Sequence, residues 1–357
     1  MSSYNVNPIL KGDKVKPEDF NYELPNKHIA QYPTEPRDSA KLMVMHQEKE
    51  EREHTVFTDI LDYLEPDDVL VLNNTKVFPA KFVARKEDSR DPIDVFLLRE
   101  LGHNTWEVSV DPARKVRIGN SLIFSDNIVC DVIDNTVSSG RVINFQENGS
   151  DVRAALEKIG EAPLPPYITR KPEPKDKTKY QTIYAEEPGS VVAPSAGLHF
   201  TESLLKRLEE KGVKIVKITL HLGLDSYEPI TISDLSRYDL HSEYYNISID
   251  SARTINDASD AGNRIIAVGA STARVLETSQ FEGDKLVPRE GWTDLFIFPP
   301  YHFQMIDGLI SNFHQPQSAT IILQQAFYNY NSIVDAYKEA INADYNFFGF
   351  GDAMLFI

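Results

Sequence analysis

Within Tyr180 to Gly212, YQTIYAEEPGSVVAPSAGLHFTESLLKRLEEKG, a histidine follows a loop of unusually small residues. Pro188, Gly189, Pro194 and Gly197 are interleaved with Ser190, Ala193, Ser195 and Ala196. A loop so poor in bulk lets backbone N–H groups approach a ligand closely. His199 ends it, just ahead of Thr201, whose hydroxyl suits a helix N-cap. Backbone donors and the positive end of a helix dipole at that place favour a carboxylate or a developing anion. A single loop of this kind more often only shapes and caps a connection. Its company shifts the balance. HLGLDSYEP, LHSEYY, GWTDLFIFPPY, NFHQP and GDAML each set His, Asp, Trp or Asn beside turn residues rather than inside an apolar repeat.

Such residues need elements to hold them. Leu204, Leu205 and Leu208 recur on one face until Gly212 closes the helix, and Val213 to Leu220, VKIVKITL, alternates as a strand. Ile265 to Val268 reads as another strand, with Ser271 capping the helix after it. Leu295 to Phe298 and Met305 to Ile310 read as strands, and Ser318 to Tyr328 and Ser332 to Ile341 as helices. Strand and helix alternate, which predicts an α/β domain with mostly parallel pairing, drawn as a large barrel-like unit. From Asn73 to about Asp151 the texture changes to short alternating segments separated by turns such as Asp111–Pro112 and Ser139–Gly140. Strands without helices predict a small inserted β-barrel over 73–151, with 1–72 and 152–357 forming the discontinuous large domain. Met1 to Val15 reads as a polar extension.

Composition limits the chemistry. The 357 residues, 41% hydrophobic and 25% charged, suffice for a large core in an ordinary globular protein. No apolar run approaches a membrane span, and Met1 to Phe20 lacks the apolar core of a signal peptide, so the cytoplasm is expected. Cys130 is alone, which excludes an intramolecular disulfide and a multi-thiolate zinc site. Gly349-Phe350-Gly351 lies too near the C-terminus for a helix to follow and receive a dinucleotide, and neither a P-loop nor an HExxH pair occurs. His199, His221, His241 and His314 are too scattered to argue for a metal. No resident cofactor and no metal are expected, and the chain is expected to be a monomer. Its net charge of −17 opposes polyanions, so a nucleic-acid partner needs a local basic face. Lys76, Lys81, Arg85, Lys86, Arg114, Lys115 and Arg117 gather in the barrel segment, either as a solvated surface or as an RNA-facing one.

APSAGLHFTESLL, GWTDLFIFPPYHF, LISNFHQPQS and the terminal FGDAML resemble the S-adenosylmethionine:tRNA ribosyltransferase-isomerase family of queuosine biosynthesis. The resemblance extends through FNYELPNKHIAQYPTEPRDSAKLMV, VLVLNNTKVFPAK and GEAPLPPYI, in one order over nearly the whole chain. It implies transfer and isomerisation of the ribosyl part of S-adenosylmethionine onto 7-aminomethyl-7-deazaguanine in tRNA, giving epoxyqueuosine, adenine and methionine. S-adenosylmethionine would be a co-substrate and tRNA the macromolecular partner. The sulfonium acidifies the adjoining ribose carbon, so the chemistry needs a positioned base, a donor for departing adenine and surfaces that tolerate a cation. Carried onto this sequence, the resemblance and the residue types imply His199, His241, Glu243, Asp294 and His314 as the catalytic set. Trp292, Phe298 and Tyr301 would supply aromatic surface, Pro194, Gly197 and Asn312 would shape the pocket, and Asp352 would hold a donor or a ribose hydroxyl. Arg114, Lys115 and Arg117 would meet tRNA. Asp239 and Gln317 stand where the family pattern has lysines. That leaves open a relative acting on a small-molecule acceptor, or a non-catalytic RNA-binding protein on the same fold.

Overall fold

The run Val69–Asn73, VLVLN, is buried at every position, the mark of a strand covered on both faces. In the computed structural model it lies near the middle of a nine-stranded sheet ordered Arg289–Thr293, Glu243–Ile247, Lys214–Leu220, Val69–Asn73, Ile265–Val268, Gly308–Asn312, Ala353–Phe356, Lys41–Met45 and Arg52–Val56. The structure describes residues 15–47, 51–102, 104–125, 128–136, 140–146, 151–279, 281–282, 285–328 and 332–357. Almost all of the expected polar extension, residues 1–14, lies outside the described residues, as does Ser139 of the turn before Gly140.

Side chains along Val69–Asn73 alternate between two cores. Val69 and Val71 pack with Ala252, Ala273 and Ile321, whereas Leu70 and Leu72 pack with Leu204, Leu208 and Phe57. Helices Ile249–Asp260, Ala270–Thr278 and Ala319–Phe327 thus cover one face and Glu202–Lys211 the other. The last begins where the Thr201 hydroxyl accepts from Leu204 N–H at 3.1 Å and ends at Gly212, left-handed at φ 102. The α/β class is as expected, with two refinements. The three central pairings are parallel, but four of the eight are antiparallel, so the sheet is mixed. It is also open, with edge strands Arg289–Thr293 and Arg52–Val56, rather than barrel-like.

A closed antiparallel barrel is inserted, in the order Arg141–Phe145, Thr105–Asp111, Pro92–Gly102, Lys81–Lys86, Ser121–Ser125 and Ile128–Asn135. Period-two alternation builds its interior: Ile93, Val95 and Leu97 from one strand meet Trp106, Val108 and Val110 from the next. Cys130 is inside as well, its thiol pushed up by burial and so kept protonated. Asn73 joins the two bodies. Its buried Oδ1 accepts from Thr75 N–H and Leu220 N–H, each at 3.1 Å, where the chain leaves the sheet for the barrel.

Three local expectations change. Leu295 to Phe298 is not a strand, because the edge pairing is made earlier by Arg289–Thr293 and the apolar stretch lines a cavity instead. The expected strand at Met305 to Ile310 lies at Gly308–Asn312. Ser271 does not cap its helix: Gly269, at φ 90, is the N-cap, and Ser271 lies within the first turn.

Ala353–Phe356 sits between Gly308–Asn312 and Lys41–Met45, tying the C-terminus into the sheet. Leu355 is fully buried there, so Leu355→Ala is expected to cost about 2–5 kcal/mol. A lower urea midpoint with an unchanged m-value would register that loss; an unchanged midpoint would refute the packing.

Candidate active site

Parallel strands present their carboxyl ends on one side of a sheet, and ligands settle where those ends diverge. Leu222 follows Lys214–Leu220, Gly269 and Ala270 follow Ile265–Val268, and Ser311 and Asn312 end Gly308–Asn312. Together they line an open cleft of about 660 Å³, closed on another side by Pro194, Ser195 and Ala196 of the small-residue loop. Tyr167, Tyr180, Tyr227 and Phe348 form its aromatic wall. The Tyr180 and Tyr227 hydroxyls are hydrogen-bonded to each other, and burial pushes Tyr180 up to about 12 and Tyr227 well above the ordinary phenol. Tyr167 accepts from Gly349 N–H at 3.1 Å.

His314 lines this cleft, its Nε2 2.9 Å from Ser311 Oγ. Burial lowers its pKa to about 3, leaving a neutral ring at physiological pH. His199 stands behind the wall. Asn312 Nδ2 donates to Phe348 C=O at 2.9 Å, which turns Oδ1 toward His199 Nε2 at 3.2 Å. The amide orientation therefore assigns the proton of His199 to Nε2. Burial lowers His199 to about 4, against the opposing effect of the Asn312 bond. Gly197 is needed for close packing: a Cβ there would overlap the Tyr184 hydroxyl.

A smaller cavity shares Leu222, Ala270, Ser271 and Thr320 with the main cleft. Glu243 lies in it, but not as a free carboxylate. Oε1 accepts from Gly223 N–H at 2.7 Å and Oε2 pairs with Arg274 Nη1. Thus His314, Asn312, Pro194 and Glu243 gather around two adjoining spaces, with His199 one hydrogen bond removed.

Other expected residues lie elsewhere. His241 and Asp294 are exposed and line neither space, so the expected convergence of His199, His241, Asp294 and His314 on one cleft is corrected. Asp352 accepts from Lys41 N–H at 2.8 Å and Asn346 N–H at 2.7 Å. It braces a strand against a loop rather than facing the cleft. Tyr301 Oη donates to Glu277 at 3.3 Å, which also receives Met305 N–H at 3.1 Å, so that pair holds a turn. Phe298 stacks on Phe296, which lines the smaller cavity. Trp292 remains 55% exposed, with Arg99 of the barrel 5.8 Å over its ring. Arg114 and Arg117 are exposed on the barrel, and Lys115 pairs with Asp91 at 2.8 Å. Arg37 Nη1 donates to Gln181 C=O at 2.7 Å and Asp38 accepts from Thr201 Oγ1 at 2.7 Å. Among the described residues no group of three or more His, Cys, Asp or Glu is placed to hold a metal.

Residues 17–356 match the family model described as queuosine biosynthesis protein. The chain belongs to that family. A relative from Chloroherpeton thalassium named S-adenosylmethionine:tRNA ribosyltransferase-isomerase is 47% identical, covering 94% of this chain and 98% of its own. Another of that name from Flavobacterium psychrophilum is 46% identical over 96% of this chain and 100% of its own. The crystal structure of S-adenosylmethionine tRNA ribosyltransferase from Thermotoga maritima superposes with a TM-score of 0.53 at 32% identity, covering 95% of this chain and 100% of that one. In this queuosine biosynthesis family member, sequence reasoning missed Tyr167, Tyr227 and Arg274. The two tyrosines stood inside the quoted runs GEAPLPPYI and HLGLDSYEP, beside turn formers, and that signal went unused. Arg274 carried none, since an arginine in an amphipathic helix reads as solvated.

Two expectations follow from the buried groups. His199 titrates near 6.5 when unfolded and near 4 when folded, so the unfolded state binds more protons between those values. Stability is complete above pH 6.5 and falls by about 3 kcal/mol as pH drops toward 4. Thermal melts of the protein and of His199→Gln across that window should show a shallower pH slope in the variant; equal slopes would refute the assignment. Gly197→Ala should destabilise through the Tyr184 overlap, and adding Tyr184→Phe should recover part of the loss, because that hydroxyl is buried without a partner among the described residues. Additive melting-point losses in the double variant would contradict it.

Proposed function

We propose that this chain transfers and isomerises the ribosyl part of S-adenosylmethionine onto 7-aminomethyl-7-deazaguanine in tRNA, leaving epoxyqueuosine and releasing adenine and methionine. The observation that carries this reading is near-full-length identity of 47% to a protein named for that reaction. It favours the tRNA-modifying reading over a small-molecule acceptor. The overall balance is simple: the acceptor amine gains the rearranged ribosyl carbons, adenine and methionine depart, and one net proton is released.

Within the cleft the chemistry divides among neutral groups. His314 is the group we assign to accept the proton from the carbon beside the sulfonium; its ring is neutral, the state in which an imidazole accepts. The Tyr180–Tyr227 hydroxyl pair, held protonated by burial, supplies a proton to departing adenine. Phe348 and Tyr167, at 4.9 Å between centroids, offer faces to a planar base. Among the described residues that line this cleft none is a lysine or an arginine that would oppose the sulfonium.

Adenine release should require both S-adenosylmethionine and deazaguanine-bearing tRNA. His314→Ala should lower its rate by about 10²–10⁴ while S-adenosylmethionine binding survives. Unimpaired release would remove His314 from the chemistry, and no release by the parent would overturn the function. For tRNA, the barrel supplies the candidate contact. Since Lys115 is already paired with Asp91, replacing Arg114, Lys115 and Arg117 by neutral residues should flatten the salt slope by about 2, chiefly through the two arginines. An unchanged slope would mean that tRNA binds another face.

A further inference from the structure

Arg274 is a buried cation with one nitrogen unpartnered among the described residues. Its side chain is 11% exposed and that of Glu243 8%. Nε donates to Leu295 C=O at 2.9 Å and Nη1 pairs with Glu243 Oε2. These two bonds fix the plane of the guanidinium. Nη2 is buried with no partner among the described residues, and the side chain lines the smaller cavity. A buried donor left unmade costs about 1–3 kcal/mol, more for a charged group. The cavity therefore holds a preset place for an acceptor.

Its surroundings narrow the choice. Leu240, Ile297 and Leu323 give it a mostly aliphatic lining, with Phe296 the one aromatic ring among its described residues, in contrast to the tyrosine wall of the main cleft. The N-terminal turn of Ala270–Thr278 and that of Ala319–Phe327 both border it, through Ser271 and Thr320, which favours negative charge. Glu243 stands beside Arg274, so the pair is neutral overall and presents an anion and a cation side by side. A zwitterionic α-amino acid with an apolar chain matches that array: carboxylate to Arg274, ammonium to Glu243, methylene chain against the leucines. A lone anion would meet Glu243, and a planar base would leave the aliphatic wall without a complement.

We infer that the smaller cavity binds the methionyl end of S-adenosylmethionine, with Arg274 receiving the carboxylate and Glu243 the ammonium. This rests on the function proposed above. The two spaces meet along Leu222, Ala270, Ser271 and Thr320, so one molecule can span them, with adenine and ribose among the tyrosines and the sulfur near the shared wall. Methionine would then be released from a site distinct from the one that releases adenine.

The test varies the ligand first, so that it does not depend on a variant folding. Calorimetry on the parent should give tighter binding of S-adenosylmethionine than of decarboxylated S-adenosylmethionine by tenfold or more, because removing the carboxylate leaves Nη2 unsatisfied again. The double variant Arg274→Gln with Glu243→Gln keeps the cavity without a lone buried charge. It should bind both compounds alike, with methylthioadenosine, which lacks the amino-acid end, bound as in the parent. Equal affinities in the parent, or discrimination that persists in the double variant, would overturn the inference. Adenine release from S-adenosylmethionine on tRNA in the same preparation reports on the function separately: it can persist when the arm site fails, and its absence would remove the function while leaving measured carboxylate discrimination in place.

Discussion

One buried carboxamide holds the site together. Asn312 ends a central strand fully inside the protein, where no polar atom can be left to water. Its Nδ2 takes the Phe348 carbonyl, its Oδ1 takes His199, and its backbone carbonyl accepts from Gln324 Nε2 at 2.8 Å. Gln324 in turn accepts from Tyr337 Oη at 2.5 Å, and that same oxygen receives His314 N–H at 2.9 Å. One residue, through its side chain and its backbone carbonyl, thereby links the small-residue loop, the C-terminal turn, two helices and the cleft histidine. Altering any member strands a polar group in the interior, so the network is all or nothing in energetic terms.

The same burial decides protonation. Both histidines of this network are neutral because desolvation disfavours imidazolium and no carboxylate compensates, whereas Glu243 is paired with Arg274. The sulfonium proposed for the main cleft would face aromatic and neutral rings there. The chain as a whole carries −17, and Arg114 and Arg117 of the barrel are exposed against that balance.

Much of the fold could be read from the sequence. Period-two alternation signalled the barrel, and Thr201 with Gly212 bounded a helix, since each depends on local physics. Leu295 to Phe298 defeated that reasoning. LFIF has the composition of a strand, yet the partner it would need is already paired by Arg289–Thr293, and whether an edge is free is a tertiary matter. Gly269 likewise took the cap from Ser271 because its positive φ allows a tighter turn off the strand.

For the site, residue type and motif company determined that His199, His314, Asn312, Glu243 and Pro194 belong to one neighbourhood of a queuosine-family chain. Which of them line the cleft was decided only by tertiary structure. Asp352 and Tyr301 are polar residues in turns, indistinguishable in sequence from site residues, and folding spends them on backbone N–H groups and on Glu277. Arg274 runs the other way. Nothing local marks it, because its place in the inference comes from Glu243, thirty-one positions away, and from a nitrogen that has no partner among the described residues. Local propensities act through neighbours in sequence, whereas desolvation and hydrogen-bond satisfaction depend on whatever the chain brings together in space.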